Sequence, residues 1–516
     1  MNFDADLSSI QEARDLVQKA AQAQKAFARF TQVEVDRVVE KMAAAGRDAA
    51  GQLAKMAVEE TGFGVYEDKV VKNLFAATDV YEFIKLLKTV GVIREDPSRQ
   101  VAEIAEPMGV VVGIVPSTNP TSTVIYKSLI ALKSRDAVVF SPHPSAAGCS
   151  AEAAAIMHRA AVAAGAPEGI IGCISRPTPQ GTDALMHHPL VGVILATGGS
   201  AMVRAAYSAG KPAYGVGPGN VPAFIERSAE IRDAVRRILA SKTFDNGTIC
   251  ASEQAVVTEE CVRQQVIDEF KAQGGYFLSG PETRKLESVV VLARGGLNPA
   301  IVGRSAVKIA RMAGLNVPEG TRVLLVEPGG VGHAFPLSME KLSPILAFYT
   351  ELDWEAACQR CIEILEFGGI GHTLSIHSRD QKIIMEFALK KPVFRILVNT
   401  SSSQGAIGAT TGLSPALTLG CGTWGGSITS DNVTPLHLIN IKRLAYGIRE
   451  APGQSAGGWG LSPLEAPGRN TDKVAGQNAA AGLSAAAAGQ SGVDPISRRE
   501  IDDIVTRVLQ QLAVKP

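Results

Sequence analysis

The stretch "GVVVGIVPSTNPTSTVIYKSLIALKSRDAVVFSPHPS", residues 109–145, decides the fold. Two short β-branched runs, "GVVVGIVPS" and "AVVFSPHPS", close in proline and serine, and the helical stretch "TSTVIYKSLIALKS" lies between them. The pattern repeats in "GIIGCIS" and "GVILATGGS", with "GCSAEAAAIMHRAAVAAG" as a further helical spacer. Apolar runs of this length, alternating with helices, predict parallel βαβ units whose sheet is covered on both faces.

Working outward, residues 7 to about 90 carry helical periodicity, as in "IQEARDLVQKAAQAQKAFARF", and precede the sheet they wrap. A second alternation follows residue 250, with strand candidates "QAVVT", "RVLLVE", "PILAFYT", "TLSIH" and "FRILVNT". Two α/β domains are the economical reading, with a boundary near 240 and a ligand cleft between them. Residues 452–492 are rich in Gly, Ala, Ser and Pro and read as a flexible linker. In 493–516, Ile501, Ile504, Val505, Val508, Leu509 and Leu512 form one apolar stripe, Ser497 and Glu500 fit a capping box, and Ile496 with Ile501 fits a hydrophobic staple. A short helix behind a long linker is marginally stable alone, so it is expected to fold against another surface, whether a partner's or its own subunit's.

The chain has 516 residues, 46% apolar and 20% charged, and its 51 basic side chains balance 51 acidic ones. That balance gives no electrostatic reason to expect nucleic acid or an anionic membrane as partner. No apolar run approaches the roughly 20 residues of a membrane span, and the acidic start "MNFDADLSSIQEARDLV" lacks the pattern of a secretory signal. The seven cysteines are scattered and odd in number, which fits a reducing cytosol. Cys358 and Cys361 form a C-x-x-C inside the amphipathic "WEAACQRCIEILEFG"; with no second pair they read as helix-packing thiols, and no metal site is expected.

Four stretches could carry chemistry. In "VPSTNPTST", Pro116, Ser117 and Asn119 end the first strand of the parallel sheet, where open α/β sheets place ligand loops. In "ATGGSAMVRAA", Thr197, Gly198, Gly199 and Ser200 lead from strand to helix, and small residues there let backbone N–H groups approach a phosphate. "GVGPGNVPAFI", with Gly217, Pro218 and Gly219, reads as a tight passage between domains. The fourth, "FDNGTICASEQ", places Cys250 after a polar, glycine-containing approach that a purely core cysteine seldom has.

The order of these motifs, together with "AVEETGFGVYEDKVVKN", resembles the aldehyde dehydrogenase superfamily over about residues 1–450, and within it the CoA-acylating branch, which includes acetaldehyde and propionaldehyde dehydrogenases. The resemblance implies two Rossmann-like parallel-sheet domains with a small oligomerisation element. Residues 1–240 are then the dinucleotide-binding domain, with an oligomerisation strand near 101–108; 241–430 hold the catalytic cysteine, and 431–451 return to the oligomerisation element. It implies Cys250 as nucleophile, Asn119 as donor to the oxyanion, Gly198, Gly199 and Ser200 near the dinucleotide phosphates, and Glu340 in "EKLSPI" on the nicotinamide ribose. It further implies NAD as cofactor, coenzyme A as cosubstrate and a homo-oligomer, dimer or tetramer.

Hydrolysing members carry a glutamate about 35 residues before the cysteine; here Gly215 of "YGVGPGN" stands in its place. Without a base to activate water, an acyl thioester on Cys250 is expected to await the CoA thiol. The run Ser141, Pro142, His143, Pro144 replaces a "KPAE"-like pattern, so no carboxylate is offered to an adenosine ribose, and NADP stays open beside NAD. His372 in "GIGHT" reads either as a proton-transfer group or as a structural histidine. The tail resembles encapsulation peptides of bacterial microcompartments, implying shell proteins as partners and a cytoplasmic, encapsulated enzyme. The expectation is therefore oxidation of a short aliphatic aldehyde to acyl-CoA; a functionalised aldehyde such as a sulfonated one, a hydrolytic dehydrogenase and an inactive cargo or scaffold protein are the rivals.

Overall fold

The structure, a computed structural model, describes residues 4–292 and 296–449, and residues Met1–Gly447 pack as one compact unit. The linker expected at 452–492 and the helix expected at 493–516 lie outside the described residues. Helices Ala5–Phe27, Gln32–Asp48, Ala50–Thr61, Tyr66–Ala77 and Asp79–Ile84 come first, as the periodicity predicts. Thr31 opens the second of them through a capping box with Glu34.

Among the described residues, fifteen strands build three sheets. Strands β1 (Gly91–Asp96) and β2 (Val101–Pro107) pair antiparallel. Strands β3 (Val110–Val115), β4 (Ala137–Pro142), β5 (Ile171–Cys173), β6 (Val191–Thr197) and β7 (Ala213–Val216) form an all-parallel sheet in the order β5-β4-β3-β6-β7. Strands β8 (Val221–Ile225), β9 (Glu253–Glu259), β10 (Gly275–Phe277), β11 (Val323–Val326), β12 (Ile345–Glu351), β13 (Gly371–His377) and β14 (Val393–Val398) form a second parallel sheet, β10-β11-β12-β9-β8-β13-β14. Strand β15 (Ile439–Ala445) returns to pair antiparallel with β2.

Both parallel sheets fill one side of their first strand and then cross to its other side; in the seven-stranded sheet the chain passes from β8 to β9, jumps to the edge at β10, returns through β11 and β12, and crosses to β13. In the five-stranded sheet the chain proceeds from β3 to β4 and β5, then returns to β6 beside β3. The crevice at the carboxyl ends of β3 and β6 is therefore the switch point where open α/β sheets receive ligands. Every residue of β3 and β4 is buried, as is every residue of helix Pro120–Lys133, which accounts for the unbroken apolar runs in the sequence.

Two boundaries differ from the sequence reading. Strand β8 and the helix Ile231–Thr243 that follows it pack with the second sheet, so the passage between sheets is 217–220, ahead of residue 240. The run "GVGPGNVPAFI" hides two strand ends around a four-residue link, and its glycines and prolines mask them. The segment after β14 also behaves differently from the assignment of 241–430 to one domain: Ala406, Ile407, Ala416, Leu419 and Cys421 join the hydrophobic core of the five-stranded sheet, as does Val433 beyond them. The Tyr126 hydroxyl seals this junction by donating to the Val433 carbonyl at 2.5 Å.

Candidate active site

Cys250 follows a tight 3-10 turn, Phe244–Gly247, and precedes β9. Asp245, Asn246 and Gly247 all have positive φ, at 49°, 52° and 76°. Asp and Asn tolerate that region better than other side chains, so the polar approach to the cysteine is first of all a turn requirement. Its flanks, Ile249 and Ala251, are buried, while Cys250 itself is only partly buried.

The turn is held by an ionic cluster. The Asp245 carboxylate accepts from Val65 N (2.8 Å), Lys69 Nζ (3.0 Å), Lys72 Nζ (2.5 Å) and Thr248 Oγ1 (2.6 Å). Burial alone raises its pKa, but the two ammonium groups and the hydroxyl outweigh this and hold the carboxyl below its ordinary range. Lys72 also donates to Asn119 Oδ1 at 2.5 Å and to the Thr248 carbonyl at 3.2 Å, while Lys69 donates to the Thr118 carbonyl at 2.9 Å. Asn119, at the end of the β3 loop, and the turn carrying Cys250 thus meet on one side chain. Sequence reasoning quoted Lys69 and Lys72 inside a motif without giving them a role.

The glycine passage closes the other side. A Cβ on Gly219 would lie 2.0 Å from the Cys250 carbonyl oxygen and 3.3 Å from His372 Cδ2, so only glycine permits this approach. The Gly219 N–H donates to Glu340 Oε1 at 3.1 Å, which brings Glu340 beside the cysteine. Pro218 lies in the same link between β7 and β8. His372 is fully buried; its Nδ1 pairs with Thr373 Oγ1 at 2.9 Å, its Nε2 has no partner among the described residues, and burial pushes its pKa down to about 3. It is a neutral imidazole at physiological pH.

Burial, then the charge of Glu340, pushes the Cys250 thiol up to about 12, with Arg395 acting in the opposite direction. Burial likewise raises Glu340 to about 7. Gly215, on β7, has no room for a side chain: a Cβ there would lie 2.6 Å from Val203 Cγ1 and 2.8 Å from Tyr207 Cε2, and the Tyr207 hydroxyl already accepts the Gly215 N–H at 2.8 Å.

A cavity of about 170 Å³ opens at the switch point, lined by Pro116, Ser141, Pro142, His143, Thr197, Gly198 and Gly199, among others. Its lining includes no acidic side chain. The helix Ser200–Ser208 begins there with Gly199 as N-cap and no side-chain cap, leaving its first N–H groups for a ligand. No heavy atom lies within 4 Å of a Cβ built on Gly199, and the buried Thr197 Oγ1 has no partner. Free amides, an open glycine and an orphaned hydroxyl fit a dinucleotide phosphate. Ser200 is exposed at the first position of that helix, and Ser117 is half-buried on the loop after β3.

Residues 4–283 match the model of the aldehyde dehydrogenase family. The chain belongs to the aldehyde dehydrogenase family. Among its relatives, the bifunctional aldehyde-alcohol dehydrogenase AdhE of Escherichia coli K12 is 48% identical over 444 residues, which cover 85% of this chain and 50% of that protein. The chain thus spans about half the length of the bifunctional relatives it matches. The structure of an acetylating aldehyde dehydrogenase from Geobacillus thermoglucosidasius is similar with a TM-score of 0.86 and 56% identity, covering 87% of this chain and 100% of that one. A Rhodopseudomonas palustris propionaldehyde dehydrogenase with bound propionyl-CoA is similar with a TM-score of 0.77 and 28% identity, covering 84% of this chain and 94% of that one. The α/β aldehyde dehydrogenase fold and the acylating relatives implied by the motifs are both borne out.

A raised thiol pKa has a direct consequence for this aldehyde dehydrogenase in its ligand-free state. The neutral thiol dominates, and the reactive thiolate fraction grows about tenfold per pH unit up to the pKa. Alkylation of the Cys250 peptide by iodoacetamide, followed by mass spectrometry, is expected to accelerate between about pH 7 and 10 without a plateau. A plateau near neutral pH shows that the thiol is already ionised and removes this account of its environment.

Proposed function

We propose that the protein is a CoA-acylating aldehyde dehydrogenase that converts a short aliphatic aldehyde, propionaldehyde or acetaldehyde, to its acyl-CoA with NAD as oxidant. The observation that carries this reading is the packing at Gly215, where Val203 and Tyr207 fill the space a water-activating glutamate needs. The acylating relatives, one of them holding propionyl-CoA, support it.

Cys250 Sγ adds to the aldehyde carbon, and Asn119 Nδ2, with a backbone N–H, donates to the oxygen as it becomes negative. Bound in the cavity at β3 and β6, NAD supplies the hydride acceptor. Pro116 and Thr197 to Gly199, which line that cavity, would hold the dinucleotide together with Ser117, Ser200 and the Gly217–Gly219 link, with Glu340 on the ribose. Loss of hydride leaves an acyl thioester on Cys250. The CoA thiol then attacks its carbonyl, the Cys250 sulfur leaves and regains its proton, and acyl-CoA departs.

Two further parts of the reading concern assembly. Strand β15 is an edge strand, and Asn440 to Ala445 are exposed along it, with Ile441 and Leu444 among the exposed apolar residues. A second copy of the chain covering this edge removes a row of unpaired backbone groups. The apolar stripe from Ile501 to Leu512 is assigned to shell proteins of a bacterial microcompartment, on the strength of its linker and its periodicity.

With propionaldehyde, NAD and CoA, sustained NADH formation and acyl-CoA are expected, whereas omission of CoA leaves a single stoichiometric burst; sustained turnover to free acid without CoA sinks the reading in favour of hydrolysis. Cys250→Ala is expected to abolish both phases, and an unaffected variant removes the cysteine from the mechanism. Deletion of 452–516 is expected to leave turnover in place while co-sedimentation with shell proteins is lost; retained co-sedimentation refutes the tail's role. Light scattering is expected to give a dimer or tetramer that Leu444→Asp dissociates, and a monomeric parent protein overturns the assignment of the β15 edge.

A further inference from the structure

Helix Tyr66–Ala77 buries Phe75, Ala76 and Ala77 at its end but polar side chains along its middle. Its buried residues include Lys69, Lys72 and Asn73, while Val71 and Leu74 on the same helix are 52% and 38% exposed. Turning two ammonium groups inward and two large aliphatic side chains outward is costly in itself, because a buried charge loses hydration. The helix keeps this orientation through what the lysines reach.

Lys69 and Lys72 are both 3% exposed and share the Asp245 carboxylate, but they differ in their other partners. Lys69 completes its bonds on the Thr118 backbone carbonyl. Lys72 bonds the side-chain oxygen of Asn119, Asp245 Oδ2, and both the carbonyl and hydroxyl of Thr248, two residues before the nucleophile. Asn73 fixes the same turn of helix by donating to the Ala50 carbonyl at 2.9 Å and accepting from Thr121 Oγ1 at 2.8 Å.

We propose that Lys72 is a positioning residue for the acylation step: by occupying the Asn119 amide oxygen it fixes which end of that amide faces the reacting carbonyl, and by holding Thr248 it ties the oxyanion donor to the segment that carries Cys250. An amide can present either its oxygen or its nitrogen. An ammonium has donors alone, so its partner must be the oxygen, and the NH2 group is left to donate elsewhere. One of its hydrogens has Thr118 Oγ1 at 3.3 Å; the other serves the oxyanion. A cation on the amide oxygen also polarises the N–H bonds and strengthens them as donors. Burial lowers the Lys72 pKa to about 8, with Asp245 opposing, so the ammonium form still predominates at neutral pH.

The proposal rests on the role given to Cys250 and Asn119 above, but not on CoA as acceptor. Its test is accordingly the NADH burst in a single turnover of the full-length enzyme without CoA, so that a hydrolytic wild type alters the product and leaves this readout intact. Removal of an oxyanion donor lowers such rates by about 100-fold or more, so Asn119→Ala sets the scale. Lys72→Met is expected to slow the burst by roughly 10- to 100-fold with the aldehyde concentration for half-saturation little changed, and to add less than about threefold in the Asn119→Ala background. Lys72→Gln, which can still donate to Asn119 Oδ1, is expected to recover part of the loss, and it carries the test if the methionine variant does not fold. Fully multiplicative losses in the double variant, or a burst unaffected in Lys72→Gln and Lys72→Met alike, overturn the proposal.

Discussion

The Asp245 carboxylate is the interaction on which the site depends. It is fully buried, sits at positive φ and receives four donors from three parts of the chain: Val65 before helix Tyr66–Ala77, Lys69 and Lys72 on that helix, and Thr248 in its own turn. Its own N–H donates to Asp68 Oδ2 at 2.7 Å. A buried carboxylate this completely bonded stays ionised, and loss of one partner of such a pair typically costs about 3–5 kcal/mol. The strained left-handed turn persists because these bonds over-determine it, and the turn sets where the chain enters β9 with Cys250 at its head.

Around that anchor the two sheets divide the work. The five-stranded sheet contributes backbone amides and small residues at its switch point, a surface suited to a phosphate and indifferent to side-chain chemistry. The seven-stranded sheet contributes Cys250, the proposed nucleophile, and Glu340, and the 217–220 link joins the two sheets. Gly219 makes that link possible, because the Cys250 carbonyl lies where any Cβ would be. Gly215, four residues earlier, shows the same economy with a chemical outcome: Tyr207 packs into the space that a catalytic carboxylate would occupy.

Much of this was legible in the sequence because it is written in local patterns. Short strand-like runs closed by turn residues gave β3 to β6, β9 and β11 to β14, and strand-to-helix glycines marked the cavity at Gly198 and Gly199. Strands β7 and β8 were not separable, since Pro218, Pro222 and four glycines from 215 to 219 and 210 interrupt the apolar signal with turn residues. The buried lysines of helix Tyr66–Ala77 were illegible for a different reason. Periodicity places lysine outside and valine inside, and it is the tertiary partner 173 residues away, Asp245, that reverses the assignment of Lys72. A long-range ion cluster leaves no periodic trace; its only local sign is two lysines three apart beside an asparagine.

The ionisation of Cys250 follows from the same economy of buried charge. Desolvation and Glu340 both favour the neutral thiol, while Arg395, itself buried and bonded to the Gly420 carbonyl at 2.7 Å and the Ser430 carbonyl at 3.3 Å, favours the thiolate. Glu340 lies near 7, so its charge is variable at physiological pH whereas that of Arg395 is fixed. Protonation of Glu340, or a hydrogen bond donated to its carboxylate, weakens the negative field at the sulfur, while burial, the largest contribution, still favours the neutral thiol. A thiol held neutral at rest resists oxidation and adventitious alkylation.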